Sequence, residues 1–299
     1  MTSRFAPALV AACVLASPLA AQQLQGREGS RFTWSERIAA GQWLRVYGPN
    51  GRIQVTEGTG DAAEVIGEKD LRGGRNEDIA FEVRRTNDGV TICAIIDDRT
   101  DCEDDGVRHR GRWNNDRNDR RVNFTVRVPR GVHVAAGSGN GDVSVVGSAE
   151  VRASSGNGKV RVSAGGAANA SSGNGDVRVD RAGGPVRASS GNGDVLVVTT
   201  RGPVNASSGN GDVEVSMDAI ADVPDDMELS SGNGRVTVTV PADFVGELDA
   251  TTGSGKFYSD FPLTLRGRID PHRVRATIGK GGRRLSMSSG NGDVELRKK

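Results

Sequence analysis

Apolar and polar residues alternate in short runs along most of this chain, and glycine-rich turns separate the runs. In Val186-Arg187-Ala188-Ser189-Ser190 the alternation places Val186, Ala188 and Ser190 on one face of a strand and Arg187 and Ser189 on the other. After Gly191-Asn192-Gly193, the run Asp194-Val195-Leu196-Val197 alternates again, with Val195 and Val197 inward and Leu196 outward. Each unit therefore predicts two strands of about five residues joined by two turns, arranged as two or three rows of strands per coil. Glycine is expected there for the positive φ angles of tight turns, and asparagine because it tolerates the left-handed region.

The unit recurs. Gly-Asn-Gly turns are centred on Asn140, Asn157, Asn174, Asn192, Asn210, Asn233 and Asn291, with Ser254 replacing asparagine once. Successive centres lie 17, 17, 18, 18, 23, 21 and 37 residues apart by subtraction of these positions, a regular coil followed by coils with insertions. A unit with three or four small apolar side chains cannot offset the entropy of ordering about 18 residues, so neighbouring units must stabilise one another. Placing each unit over the next aligns Val143, Val160, Val177, Val195, Val213, Val236 and Val294 in one row. Ala153, Ala170, Ala188 and Ala206 form a second row, and Ser155, Ser172, Ser190 and Ser208 a third. Like residues over like, with an asparagine ladder at the turn, are what parallel in-register stacking favours. The fold class that follows is all-β, a parallel β-solenoid of short strands with Gly-Asn-Gly turns. The alternative is a meander of antiparallel hairpins, because Asn-Gly between alternating strands is also a strong hairpin signal.

The segment before the repeats uses the same idiom more loosely. Strands are expected at Trp43-Leu44-Arg45-Val46 and Arg52-Ile53-Gln54-Val55, around a turn at Gly48-Pro49-Asn50-Gly51, and again at 79–83, 90–96 and 122–128. Residues 97–121 are a mixed-charge run, acidic first and basic later, and read as an exposed or disordered loop. A contact loop for a charged polymer is the functional reading; a solvated insertion pairing with itself is the plainer one. At the other end the repeat runs to Leu296, so the final strand is expected at an exposed edge, with Arg297, Lys298 and Lys299 discouraging further pairing. The division is a 1–21 leader, a 22–130 N-terminal β region and a 131–299 repeat.

Composition adds the compartment. Arg4, the apolar run from Phe5 to Leu15 and the small residues up to Ala21 have the order of a secretory signal peptide, too short to span a membrane. Cys13 sits too close to Arg4 for lipid attachment to be the favoured reading, and no later apolar stretch offers an anchor. Export to the periplasm, cell surface or medium is expected, and there Cys93 and Cys102 are expected to form a disulfide, with two free thiols as the alternative. Only 4% of residues are aromatic and 42 are glycine, which suits a thin layered core. A net charge of +1 gives no global field for nucleic acid.

Candidate chemistry changes little. The residue after each turn is Asp142, Lys159, Asp176, Asp194, Asp212, Arg235, Lys256 or Asp293, a row of mixed sign rather than a carboxylate pair. His109, His133 and His272 lack a neighbouring nucleophile or ligand pattern. The adjacent Gly175-Asp176 departs from the calcium-binding nonapeptide, and Lys159, Arg235 and Lys256 would interrupt an ion column. No catalytic residue, metal site or cofactor is expected.

Leu44-x-Val46 with Asn50-Gly51-x-Ile53-x-Val55, Val126-x-Val128-Pro129, the serial Gly-Asn-Gly-Asp-Val units, Val240-Pro241 and Gly279-x-Gly281 together carry a resemblance. From Trp43 to Leu296 the chain is similar to a bacterial β-strand-repeat family known as adhesins by inference or as a domain of unknown function. The resemblance implies a β-solenoid at the cell envelope and no catalytic residues. The functional expectation is a non-catalytic structural or adhesive module offering a regular polar face, with Arg152, Arg161, Arg178 and Arg187, to an envelope polymer or protein. A ligand-binding envelope accessory protein is the alternative, and a polysaccharide-active β-helix enzyme the least expected.

Overall fold

A computed structural model describes residues 23–71, 75–96, 100–110, 120–199, 202–219, 226–267, 270 and 272–299. The leader expected at 1–21 lies outside them. The described chain is a two-row β-solenoid built from a 14-stranded and a 12-stranded sheet, with a separate two-stranded hairpin. Each repeat contributes one strand to each sheet. Val186–Ser190, for example, stacks in the larger sheet between Ala168–Ser172 and Val204–Ser208, while Val195–Thr199 stacks in the smaller sheet between Val177–Ala182 and Val213–Met217, all parallel.

The register follows from the side-chain period. Val143, Val160, Val177, Val195, Val213, Val236 and Val294 pair in sequence along one line, and Ala153, Ala170, Ala188 and Ala206 along another. Both lines point inward into one core that runs from Phe32 to Leu296. A slip by one residue would turn every valine to solvent, so the burial pattern fixes the register.

Both ends depart from chain order. The last coil, Arg284–Ser289 with Val294–Lys298, is inserted between the coil at 227–240 and the coil at 246–259. The final strand is therefore interior and not the exposed edge expected from its place in the sequence, and the Ser254 coil lies outside it. The first coil is treated alike: Trp43–Asn50 and Ile53–Glu57 sit between the strands at 133–147 and the pair Gly89–Ile95 and Arg120–Val128. Antiparallel strands then cap both sheets at one end, Ala80–Thr86 and Ala62–Leu71, and the larger sheet at the other, Arg273–Ile278, where the smaller sheet stops at the short parallel strand Phe257–Ser259. Placing the first and last coils inside and antiparallel strands outside limits further in-register stacking, the hazard of an open parallel edge.

The turn glycines also differ from expectation. Among the described residues no repeat-turn glycine from Gly139 to Gly292 has a φ in the left-handed region, and neither does any asparagine. Glycine is needed for closeness instead: a Cβ on Gly193 would lie 2.5 Å from the carbonyl carbon and oxygen of Gly175 in the adjacent coil.

The charged segment is partly folded. Thr100–Glu103 and Gly106–His109 form an antiparallel hairpin, not a solvated loop, and the Cys93–Cys102 disulfide fastens it to the larger sheet. Val107, Cys102 and Ile95 pack with Tyr47 and Ala135 as a small second core on the outer face of that sheet. Residues 97–99 and 111–119 lie outside the described set.

Candidate functional site

The asparagine positions converge on one edge of the solenoid. Asn140 donates through Nδ2 to Asn50 Oδ1 at 2.7 Å, and Asn157, Asn174, Asn192, Asn210 and Asn233 each donate to the asparagine before them at 2.6 Å. Asn291 donates to Asn233 at 2.5 Å, and Ser254 Oγ reaches Asn291 Oδ1 at 3.5 Å. Each amide thus donates one way along the stack and accepts from the other, which uses the two halves of the side chain. Asn50 is the member that interval counting missed. It stands 90 residues from its neighbour, and its signal was the shared Asn-Gly-x-Ile/Val-x-Val pattern at 50–55 and 140–145.

Serines brace the same turns from inside. Ser155, Ser172, Ser190 and Ser208 donate to the carbonyl of a turn glycine in the adjacent coil at 2.7 to 2.8 Å. The aspartates after the turn face outward and accept backbone N–H groups of the next coil, as Asp194 does from Asp212 at 2.9 Å and Asp212 from Arg235 at 2.8 Å. Lys159 pairs with Asp176 at 2.9 Å, and that hydrogen bond holds the Asp176 carboxyl below its ordinary range. These carboxylates are consumed in fastening one coil to the next. The turn edge is a structural seam, with no acid and base facing one reacting point.

The outer face of the larger sheet is different. Tyr47, Gly137, Ser154, Ser171 and Ser189 form one outward line, and Arg45, Ala135, Arg152, Asn169 and Arg187 the line beside it. Arg161 and Arg178 belong to the outer face of the other sheet, so the four arginines expected on one face are divided between two. Where the first two coils meet, Trp43 tilts against His133 at 5.0 Å between ring centroids, and Arg152 lies 4.4 Å above the Trp43 ring. Arg45 is buried beneath this cluster and pairs with Asp88, whose carboxyl is pulled down to about 2 by that contact.

Beside the cluster the hairpin overhangs the sheet and leaves a groove of about 240 Å³, floored by Tyr47, Gly137 and Ser154 and walled by Asp105 and Val107. The Tyr47 hydroxyl donates to the Asp104 carbonyl at 3.2 Å, and burial pushes its phenol up to about 12, so it stays a neutral donor. Gly137 interrupts the outward serine line because a Cβ there would press on the Tyr47 ring and the Ser154 hydroxyl. Trp43, Tyr47 and His133 gain a shared role only in the fold, because their side chains do not recur in the other coils and the pairing of two distant strands is what brings them together. Of the other histidines, His272 is exposed, and the side chain of His109 lies outside the described residues.

Residues 105–297 match the family model Toastrack DUF4097. No curated protein matches the chain. A solved candidate cell adhesion protein from Clostridium sporogenes aligns over 90% of this chain and 100% of its own, with 9% identity and a TM-score of 0.28. A solved candidate adhesin from Bacteroides fragilis aligns over 89% of this chain and 96% of its own, with 13% identity and a TM-score of 0.44.

Proposed function

The chain belongs to the Toastrack DUF4097 family, and on that premise we propose that it is an exported, non-catalytic binding module of the cell envelope. Residues 1–21 serve as its signal peptide, and the mature protein acts in the periplasm, at the surface or in the medium. Its partner is an envelope polymer or protein held on the outer face of the larger sheet.

The observation that carries this reading is the aromatic and arginine cluster of Trp43, His133 and Arg152 beside the hairpin-walled groove, on an otherwise regular hydroxyl and amide surface. Tryptophan, tyrosine and arginine are the side chains that concentrate binding energy at interfaces. A flat sheet with side chains repeating every ~4.8 Å offers an extended partner the same contact many times. The disulfide fixes the hairpin over that face, which suits an oxidising compartment.

A glycan array and pull-down from envelope fractions, run beside a hydrolysis assay on the purified mature protein, test the reading. Binding that falls about tenfold or more in Trp43→Ala or Arg152→Ala, with no turnover of the bound polymer, is expected for hot-spot residues. Turnover of a bound glycan, or binding indifferent to both substitutions, overturns it.

A further inference from the structure

Seven turns carry the same four residues, Ser-Gly-Asn-Gly, at 138–141, 155–158, 172–175, 190–193, 208–211, 231–234 and 289–292. An asparagine followed by glycine is open to attack by the glycine amide nitrogen on its own side chain. The new N–Cγ bond forms as the Cγ–Nδ2 bond breaks, ammonia departs with the amide proton, and water then opens the cyclic imide to aspartate or isoaspartate. The sum is asparagine plus water giving the acid plus ammonia, with no oxidant or enzyme required. Since the seven tetrapeptides are identical, any difference in their rates comes from the fold.

The fold restrains the reaction twice. The ladder holds each amide on both sides, and a serine hydroxyl holds the attacking N–H: Gly175 donates to Ser172, Gly193 to Ser190, Gly211 to Ser208, Gly234 to Ser231 and Gly292 to Ser289, at 2.7 to 2.9 Å. Two turns lack the second restraint. Among the described residues the N–H groups of Gly141 and Gly158 have no acceptor, although Ser138 and Ser155 still donate to Gly51 and Gly141 carbonyls at 2.8 Å. Both turns stand at the surface, where water reaches them; Asn140 and Asn157 are exposed.

We infer that Asn140 and Asn157 are the modification sites of the ladder, converting spontaneously to aspartate or isoaspartate while the serine-guarded asparagines persist. The change at Asn140 matters most to the fold. A carboxylate there can only accept, and its partner Asn50 Oδ1 also only accepts, so the 2.7 Å bond joining the first coil to the repeats is lost. Asp142, two residues on, adds a second negative charge at the same turn.

Ageing the folded mature protein at mildly alkaline pH, followed by tryptic mass mapping, reads this directly. Peptide 131–152 isolates Asn140, 153–159 isolates Asn157 and 188–201 isolates Asn192. Rates are normalised to those of the same sites in denaturant, where the identical tetrapeptides react without the fold. Asn140 and Asn157 are expected to convert about 2- to 10-fold faster than Asn192, the range set by one hydrogen bond. Ser190→Ala, which frees the Gly193 N–H, should raise Asn192 into the same range. Equal normalised rates across the wild-type turns, or Asn291 at the far end of the ladder reacting fastest, overturn the inference without reliance on any variant.

Discussion

Alanine at Gly193 places a methyl group where the backbone of the adjacent coil already lies. The added Cβ would sit 2.5 Å from the carbonyl carbon and oxygen of Gly175 and 2.7 Å from the nitrogen of Asp176. These are main-chain atoms with no rotamer to change, so the two coils must separate from their spacing of ~4.8 Å. Separation strains the two bonds that cross the gap, from the Ser190 hydroxyl to the Gly175 carbonyl at 2.8 Å and from the Asn192 amide to Asn174 Oδ1 at 2.6 Å. Overpacking of this kind costs about 1 to 3 kcal/mol, and each weakened hydrogen bond about 0.5 to 1.5 kcal/mol more. The reduced entropy of the unfolded chain returns about 0.4 to 1 kcal/mol, leaving a net loss of roughly 1 to 5.5 kcal/mol. Gly60 is the control: an added Cβ there meets nothing within 4 Å and its φ is not left-handed, so Gly60→Ala should be neutral or slightly stabilising. Urea denaturation followed by circular dichroism gives the global effect, and hydrogen exchange should show lost protection in the coils on both sides of Gly193. If Gly193→Ala lies within about 0.5 kcal/mol of wild type, close coil approach is not why glycine stands in these turns.

Val195 is 1% exposed between Val177 and Val213, whereas Leu196 points to the outer face; Val195→Asp should destabilise by several kcal/mol and Leu196→Asp by about 0.5 kcal/mol or less, with equal effects refuting the face assignment. Glu82 is 9% exposed, its Oε1 accepts no hydrogen bond and has only Arg84 Nε at 3.9 Å as an ionic neighbour, and burial outweighs that charge and raises its pKa, so the native state favours the protonated form. Its penalty is absent below the unfolded value of ~4.3 and grows as pH rises above it; Glu82→Gln should stabilise by about 1 to 3 kcal/mol at pH 7 and not at pH 3, and superimposable stability curves against pH would exclude this. Deleting residues 284–299 removes the inserted coil from between Val236–Val240 and Phe257–Ser259, so residues 227–278 should lose hydrogen-exchange protection while 133–199 keep theirs; a uniform loss or none would contradict the inserted topology.

Much of the central fold was legible because its information is local and repeated. The alternation in Val186–Ser190 and Val195–Thr199 sets which side chains are inward, and identity of rows from Val143 to Val294 sets parallel stacking over hairpins. The candidate site was much less legible. Trp43 and His133 are 90 residues apart, and only the pairing of Trp43–Asn50 with His133–Asn140 brings their rings together. The hairpin was hidden because its charge outweighs its few apolar residues, and those residues, Cys102 and Val107, bury themselves only against Tyr47 and Ala135 on a distant strand.

The sequence by itself determined the strand length, the inward and outward faces, the parallel register and the edge on which the asparagines meet, since each follows from a period of two within strands and about 18 between them. Tertiary structure decided what has no period. It placed the last coil inside the stack, because chain order does not set spatial order when a longer connection can pass over a slot and a later strand can fill it. It also divided the arginines between two outer faces and made closeness, rather than left-handed backbone, the reason for glycine at the turns, because the distance between coils exists only after the coils have stacked.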